Sequence, residues 1–172
     1  MSADLPDSVD AWRAVAGRRV FEGKLPLAAF KRLCESLADA DGACVCRLSF
    51  DRDVFGVATV ELEADAVLPL ICQRSLERFM LPVSIRQRLG LVRDENEEMS
   101  LPGEVEPVLV GADGELKPLE LVEDELILAL PVVPMGPDGL VAELSNPAAS
   151  DEPDEPKQNP FAALAALKAK KE

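Results

Sequence analysis

Between Arg78 and Leu91 the residues sort by parity. Phe79, Leu81, Val83, Ile85, Leu89 and Leu91 take the odd positions, whereas Arg78, Ser84, Arg86 and Arg88 take even ones. Successive side chains of a strand point to opposite faces, so this pattern requires an extended segment with one apolar face and one polar, cationic face. Gln87 is the one break on the apolar side. Pro82 lies inside the run and cannot donate to a ladder, which places the strand at an edge there or demands a bulge. A chain built around such a strand folds as a sheet with one buried face, covered by whatever helices the rest of the sequence supplies.

Those helices and the partner strands follow from local signals. Ser8 or Asp10 can cap a short helix carrying Trp12 and Val15 that Gly17 ends. Val20 to Leu25 reads as a strand. Pro26 opens an amphipathic helix to about Leu37, with Leu27, Phe30, Leu33, Cys34 and Leu37 at helical spacing. From Ala43 the period is two again: Cys44, Cys46, Leu48 and Phe50 alternate with Val45, Arg47, Ser49 and Asp51, and Phe55 to Ile71 reads as two further strands. Connections this short cannot hold a crossover helix, so antiparallel neighbours are expected. Asp94 to Glu106 reads as a long surface loop, Glu106 to Val110 as a short strand and Ala112-Asp113-Gly114 as a turn. Pro118 at a first helical position starts a helix with Leu119, Val122, Leu126 and Ala129 on one stripe and Glu120, Glu123 and Asp124 on the other side; Pro131 stops it.

The expected class is α+β: a single domain with a mostly antiparallel sheet, a meander or partly closed barrel, flanking helices and an acidic disordered tail. Residues 1–17 form an N-terminal segment, 18–135 the core, 136–158 a flexible acidic linker and 159–172 a short terminal helix. Asp151 to Gln158 is too polar to order itself, and Asn159-Pro160 caps the Ala/Leu helix that follows.

Composition narrows the chemistry. The 172 residues include 18 basic and 32 acidic ones, a formal charge of −14 that repels nucleic acid at long range, so any RNA contact is local or carried by a partner. Aromatic residues make up 4% with no Tyr, which leaves no dense stacking surface for single-stranded bases. The chain has no His, the commonest general base and a common metal ligand, and no Gly-rich loop with nucleotide-binding spacing. Glu123, Asp124 and Glu125 point to different sides of one helix, a solvated acidic face rather than a catalytic pair. No catalytic residue and no cofactor are expected. No apolar run approaches the roughly 20 residues of a membrane span, and Met1 to Asp10 is not of signal-peptide type, so no membrane association and a cytoplasmic location are expected. Cys34, Cys44, Cys46 and Cys72 then read as reduced, core-type thiols.

Three landmarks carry a family resemblance. Leu121 to Pro134 runs three consecutive acids, Glu123-Asp124-Glu125, into an apolar block closed by Pro131 and Pro134; Cys72-Gln73-Arg74 precedes it and Asn159-Pro160-Phe161-Ala162-Ala163-Leu164 follows. In their order and spacing the chain, from about Val20 to Lys171, resembles the YceD family, the bacterial large ribosomal RNA subunit accumulation proteins. The resemblance implies a ribosome-biogenesis factor that supports synthesis, processing or stability of 23S ribosomal RNA. Its implied partner is a large-subunit RNA precursor or pre-ribosomal particle, reached directly or through a protein. An alternative is an acidic adaptor that binds a basic ribosomal protein or an RNA-processing enzyme without touching RNA.

Candidate surfaces follow. Arg74, Arg78, Arg86, Arg88 and Arg93 stand against Glu77 alone between Cys72 and Arg93. They either pair with acids on neighbouring strands such as Glu61 and Glu63, or meet phosphate or an acidic protein through their planar forks. A protein-interaction surface would use Glu120, Glu123 and Asp124 with Phe161, Leu164 and Leu167 of the terminal helix. Members of the resembled family often read Cys-x-x-Cys where this chain has Cys72-Gln73-Arg74-Ser75, and His or Cys after Pro134, where it has Met135 to Gly139. Both halves of a four-ligand zinc site are missing together, so no metal is expected. The purified protein should therefore contain no stoichiometric zinc by elemental analysis and keep its unfolding midpoint in chelator; stoichiometric zinc would contradict this.

Overall fold

The computed structural model describes residues 2–99, 101–103, 105–111 and 113–136, within the first of the chain's two units, Met1–Gly139. Strands Ser2–Asp4 (β1) and Val9–Asp10 (β2) precede helix Ala11–Ala16 (α1). Strand Val20–Pro26 (β3) runs into a 3-10 turn, Leu27–Ala29, and a single helical turn, Lys31–Cys34 (α2). Three long strands follow: Ala43–Arg52 (β4), Ala58–Ile71 (β5) and Arg78–Val92 (β6). Helix Glu95–Glu98 (α3), strands Glu106–Leu109 (β7) and Glu115–Leu116 (β8), and helix Pro118–Leu128 (α4) complete the described chain.

The architecture is α+β. The main sheet has the order β1-β3-β4-β5-β6-β7, and β2 pairs with β8 in a separate ribbon. From β3 to β6 it is an antiparallel meander, as short connections require, while β1 and β7 are parallel neighbours of β3 and β6. It stays open; of the two closures weighed, the meander stands and the partial barrel does not.

Even positions of β4 and β5, from Cys44 to Phe50 and from Val60 to Leu70, are buried, together with Ala11, Ala14 and Val15 of α1, Leu27, Phe30, Leu33, and Val122 and Leu126 of α4. The stretch before Gly17 is thus built into the same core. Asp10 caps α1 by accepting the Arg13 N–H at 3.0 Å, and Gly17 ends the helix as its spacing suggested.

Three expected elements differ. The surface loop expected from Asp94 to Glu106 carries a helical turn, Glu95–Glu98, which the Asp94 carboxylate caps by accepting the Asn96 and Glu97 amides. Phe55 to Ile71 is not two strands; a single 14-residue strand begins at Ala58, longer than the 3–10 residues usual for strands. The helix expected from Pro26 to Leu37 breaks at Phe30 (φ −90°, ψ 87°). In a continuous helix the amides of Arg32 and Leu33 would bond four residues back. Instead both donate to Glu123 Oε1, at 2.7 and 3.2 Å.

That bond also corrects the expected acidic face of α4. Glu123 is 4% exposed, turned inward between α4 and α2, and its Oε2 receives Arg32 Nε and Nη2, each at 2.9 Å. Ala129, expected on the buried stripe, is exposed.

Pro82 stands where β6 is an edge. The ladder to β5 runs unbroken from Thr59↔Gly90 to Ile71↔Arg78, so there is no bulge, and β7 covers only Leu89 to Val92. Cys72 N–H bonds Glu77 O at one end of the hairpin and Val110 N–H bonds Val92 O at the other. Odd residues of β6 therefore direct their amides to β5, and even ones, Pro82 included, direct theirs to the open side.

Glu123→Ala should cost about 2–3 kcal/mol in chemical denaturation, because it strands two helix amides and a guanidinium. Asp124→Asn, an exposed pair with the same arginine, should cost less than about 1 kcal/mol.

Candidate functional site

The helices lie on the buried side of the meander, and the opposite face is open to solvent among the described residues. Register assembles that face. Glu22, Arg47, Glu63 and Arg86 are successive cross-strand partners through β3, β4, β5 and β6, and Glu61 faces Arg88 in the next row. The contacts are Arg47–Glu22 at 3.2 Å, Arg86–Glu63 at 2.7 Å and Arg88–Glu61 at 3.4 Å. Half-exposed pairs of this kind contribute about 0–1 kcal/mol each, so the ladder sets charge pattern more than stability.

Of the five arginines singled out in the sequence, four have acidic partners. Arg78 forks onto Asp39, with Nε to Oδ2 at 2.6 Å and Nη2 to Oδ1 at 3.2 Å, which holds the Asp39 carboxyl below its usual range. Arg86 and Arg88 belong to the ladder. Arg93 lies apart, at the far end of β6, 3.6 Å from Glu97 and 4.4 Å over the Trp12 ring. Arg74 sits in the exposed turn after β5, with no ion pair among the described residues. The structure brings Arg86 and Arg88 together and leaves Arg74, Arg78 and Arg93 dispersed.

Beyond the ladder the same face turns apolar. Val45, Val67 and Met80 are 53, 46 and 44% exposed, and with Pro82, Lys24 and Asp65 they line a shallow trough of about 590 Å³. Val45 and Pro82 were named in the strand alternation, but no surface was read from them; Val45 and Val67 share their outward faces with the charged Arg47, Asp51, Glu61, Glu63 and Asp65.

The acidic helix offers less free charge than its sequence suggested. Glu120 pairs with Lys117 at 2.9 Å, Asp124 with Arg32 at 2.6 Å, and Glu123 is buried. Burial, then Glu106 and Asp124, raise the Glu125 carboxyl above its ordinary value. Phe161, Leu164 and Leu167, like the linker from residue 137 onward, lie outside the described residues.

At the other end of the sheet, Gln73 N–H bonds Pro134 O at 2.9 Å, so the Cys72–Ser75 turn and the segment after α4 meet. Cys72 is 1% exposed. The Ser75 hydroxyl, and then the amides of Ser75, Gly136 and Arg74, donate toward its sulfur and lower the thiol to about 6. These residues provide one thiolate where a closed zinc site needs four ligands, and among the described residues no group of three metal-ligating side chains occurs. Cys44 and Cys46 face the core, where burial pushes Cys44 up to about 12.

Comparison with known proteins decides the family. The family described as large ribosomal RNA subunit accumulation protein YceD matches residues 60–168. The chain belongs to the YceD family. A curated YceD relative, the large ribosomal RNA subunit accumulation protein of Haemophilus influenzae, is 31% identical over 173 aligned positions, covering 96% of this chain and 97% of the relative. No solved structure matches. Among the described residues no helix is long and apolar enough to cross a membrane.

Thiolate ultraviolet absorbance, with Cys72→Ser as the blank, should titrate with a midpoint near 6 and move upward in Ser75→Ala. The folded value lies below the unfolded 9.0, so this thiolate's contribution to stability is complete above pH 9, fades as the pH falls and is gone below about 6.

Proposed function

We propose that this chain is a non-enzymatic ribosome-biogenesis factor that acts in the cytoplasm and supports the accumulation of 23S ribosomal RNA through contact between its open sheet face and a large-subunit precursor. The single observation that carries the reading is membership of a family named for large ribosomal RNA subunit accumulation, over nearly the whole length of a curated relative. The chemistry is consistent with it. A chain without His lacks the usual general base, and its buried carboxylate, Glu123, is committed to helix amides and Arg32.

The open face supports the contact. On a chain of charge −14, the ladder is where bases and acids alternate, so long-range repulsion of a polyanion is locally cancelled there. Each laddered guanidinium keeps further N–H donors for phosphate, and the trough of Val45, Val67 and Met80 adds apolar area for a protein component of the particle. Such binding is weak and falls with salt.

Changing Arg78, Arg86 and Arg88 to Gln tests this. Neutral replacements are needed, because Glu at these positions would face Asp39, Glu63 and Glu61. The variant should lose no more than about 1 kcal/mol per pair, yet fail to sediment with large-subunit precursor particles and fail to restore 23S accumulation in a strain lacking the protein. Full rescue by a folded variant would move the contact off this face.

A further inference from the structure

We propose a second RNA-binding site: a pocket that takes one unpaired guanine base, built around Trp12 at the end of the sheet opposite the Cys72 turn. The start of α1, the β4–β5 hairpin, the last residues of β6 and α3 line a half-open cavity of about 250 Å³ that includes Trp12, Arg52, Leu91, Arg93, Glu97 and Leu101. It is slightly smaller than the 300–1,000 Å³ of drug-sized ligand sites, which suits one planar ring system.

Its chemistry is that of base recognition. The indole supplies a π-face that the Arg93 guanidinium already overlies at 4.4 Å. Unpaired bases stack on such aromatic and guanidinium planes. Trp12 is held in place: Ala11 N–H bonds Gly114 O at 2.9 Å, and Gly114, at φ +73°, has no room for a Cβ, which would lie 2.8 Å from the indole Cδ1. Glu97 accepts the Arg93 amide on Oε2 at 2.8 Å, while among the described residues its Oε1 meets the longer 3.6 Å approach of Arg93 Nη1. Each carboxylate oxygen accepts more than one bond. The edge that complements this carboxylate is the paired ring N–H and amino donors of guanine; adenine and the pyrimidines present no such adjacent donors. Arg93 and Arg52 are then the donors for guanine O6 and N7, and the Arg52 Nη1 bond to Gly56 O at 2.8 Å fixes that side chain across the hairpin.

A base pocket also fits the charge. Stacking needs no counterion release, so an acidic protein can hold a base where it cannot hold a phosphate backbone. Phe55, 82% exposed at the hairpin tip, offers a neighbouring surface for the adjacent nucleotide. Guanine could come from a free nucleotide or from RNA; the chain has no Gly-rich phosphate loop, and RNA is the source we assign.

The proposal rests on the RNA-contact reading above but is tested without it, because Trp12 is the chain's one tryptophan and its fluorescence reports the pocket directly. Full-length protein is titrated with a uridine-rich single strand carrying one guanine, with the all-uridine strand, and with GMP. The guanine strand should quench saturably, with a dissociation constant roughly tenfold or more below that of the all-uridine strand, and GMP should bind more weakly than the guanine strand. Glu97→Gln and Arg93→Met, each checked by circular dichroism, should abolish the preference. Equal quenching by both strands, no saturable quenching, or a preference unchanged in both variants would overturn the site. Tighter binding of GMP than of RNA would overturn the assignment to RNA. A protein that rescues 23S accumulation while Trp12 stays silent would reject this pocket and leave the sheet-face reading intact.

Discussion

The carboxylate of Glu123 is the joint on which the helical layer depends. It stands on α4 yet completes the first turn of α2, taking the amides of Arg32 and Leu33 and the guanidinium of Arg32. A four-residue helix has almost no stability of its own; here a long-range acceptor replaces the missing previous turn. That holds Phe30 and Leu33 fully buried over the sheet and locks the two helices to one another. Buried charge is unfavourable unless fully satisfied, and in this case both oxygens are.

This joint also marks where sequence reasoning reached its limit. The alternation in β4 and β6 was legible because a half-buried strand writes its two environments directly into parity. The start of α4 at Pro118 and the cap at Asp10 were legible because they depend on a few adjacent residues. The break at Phe30 was not, since it is imposed by a carboxylate 91 positions from Arg32. Nor were β1, β2 and β8 visible, strands of two or three residues that exist only through their partners. The arginines of β6 were seen as a cationic face, but their neutralisation by Glu61 and Glu63 depends on register, which the sequence left open as one of two readings. Trp12 was placed on the right helix; its meeting with Arg93, 81 residues further on, depends on the parallel return of β7 and on β8 pairing beside α1.

Charge is distributed with a consequence for how such a surface meets any polyanion. Among the described residues the excess of acids lies away from the meander's open face, where the rows Glu22–Arg47–Glu63–Arg86 and Glu61–Arg88 offset plus with minus. A polyanion is repelled by most of this surface and tolerated on the ladder, so orientation on approach is governed by avoidance rather than by attraction. The apolar trough beside the ladder is then the part of the face that can add contact area, since among the described residues side chains such as Val67 and Met80 are left uncovered.

Pro82 acts on a different scale from these contacts. The open side of β6 presents the amides of Arg78 and Met80, then a gap at Pro82, then those of Ser84, Arg86 and Arg88. A second strand laid along it would find its ladder cut into two short pieces, with arginines flanking both. Edges of long strands are where folded proteins polymerise into sheets, and a proline with inward-turned neighbours is a recognised guard against it. Uncovered along this side among the described residues, the β5–β6 hairpin is thus a poor template for edge-to-edge pairing with another strand.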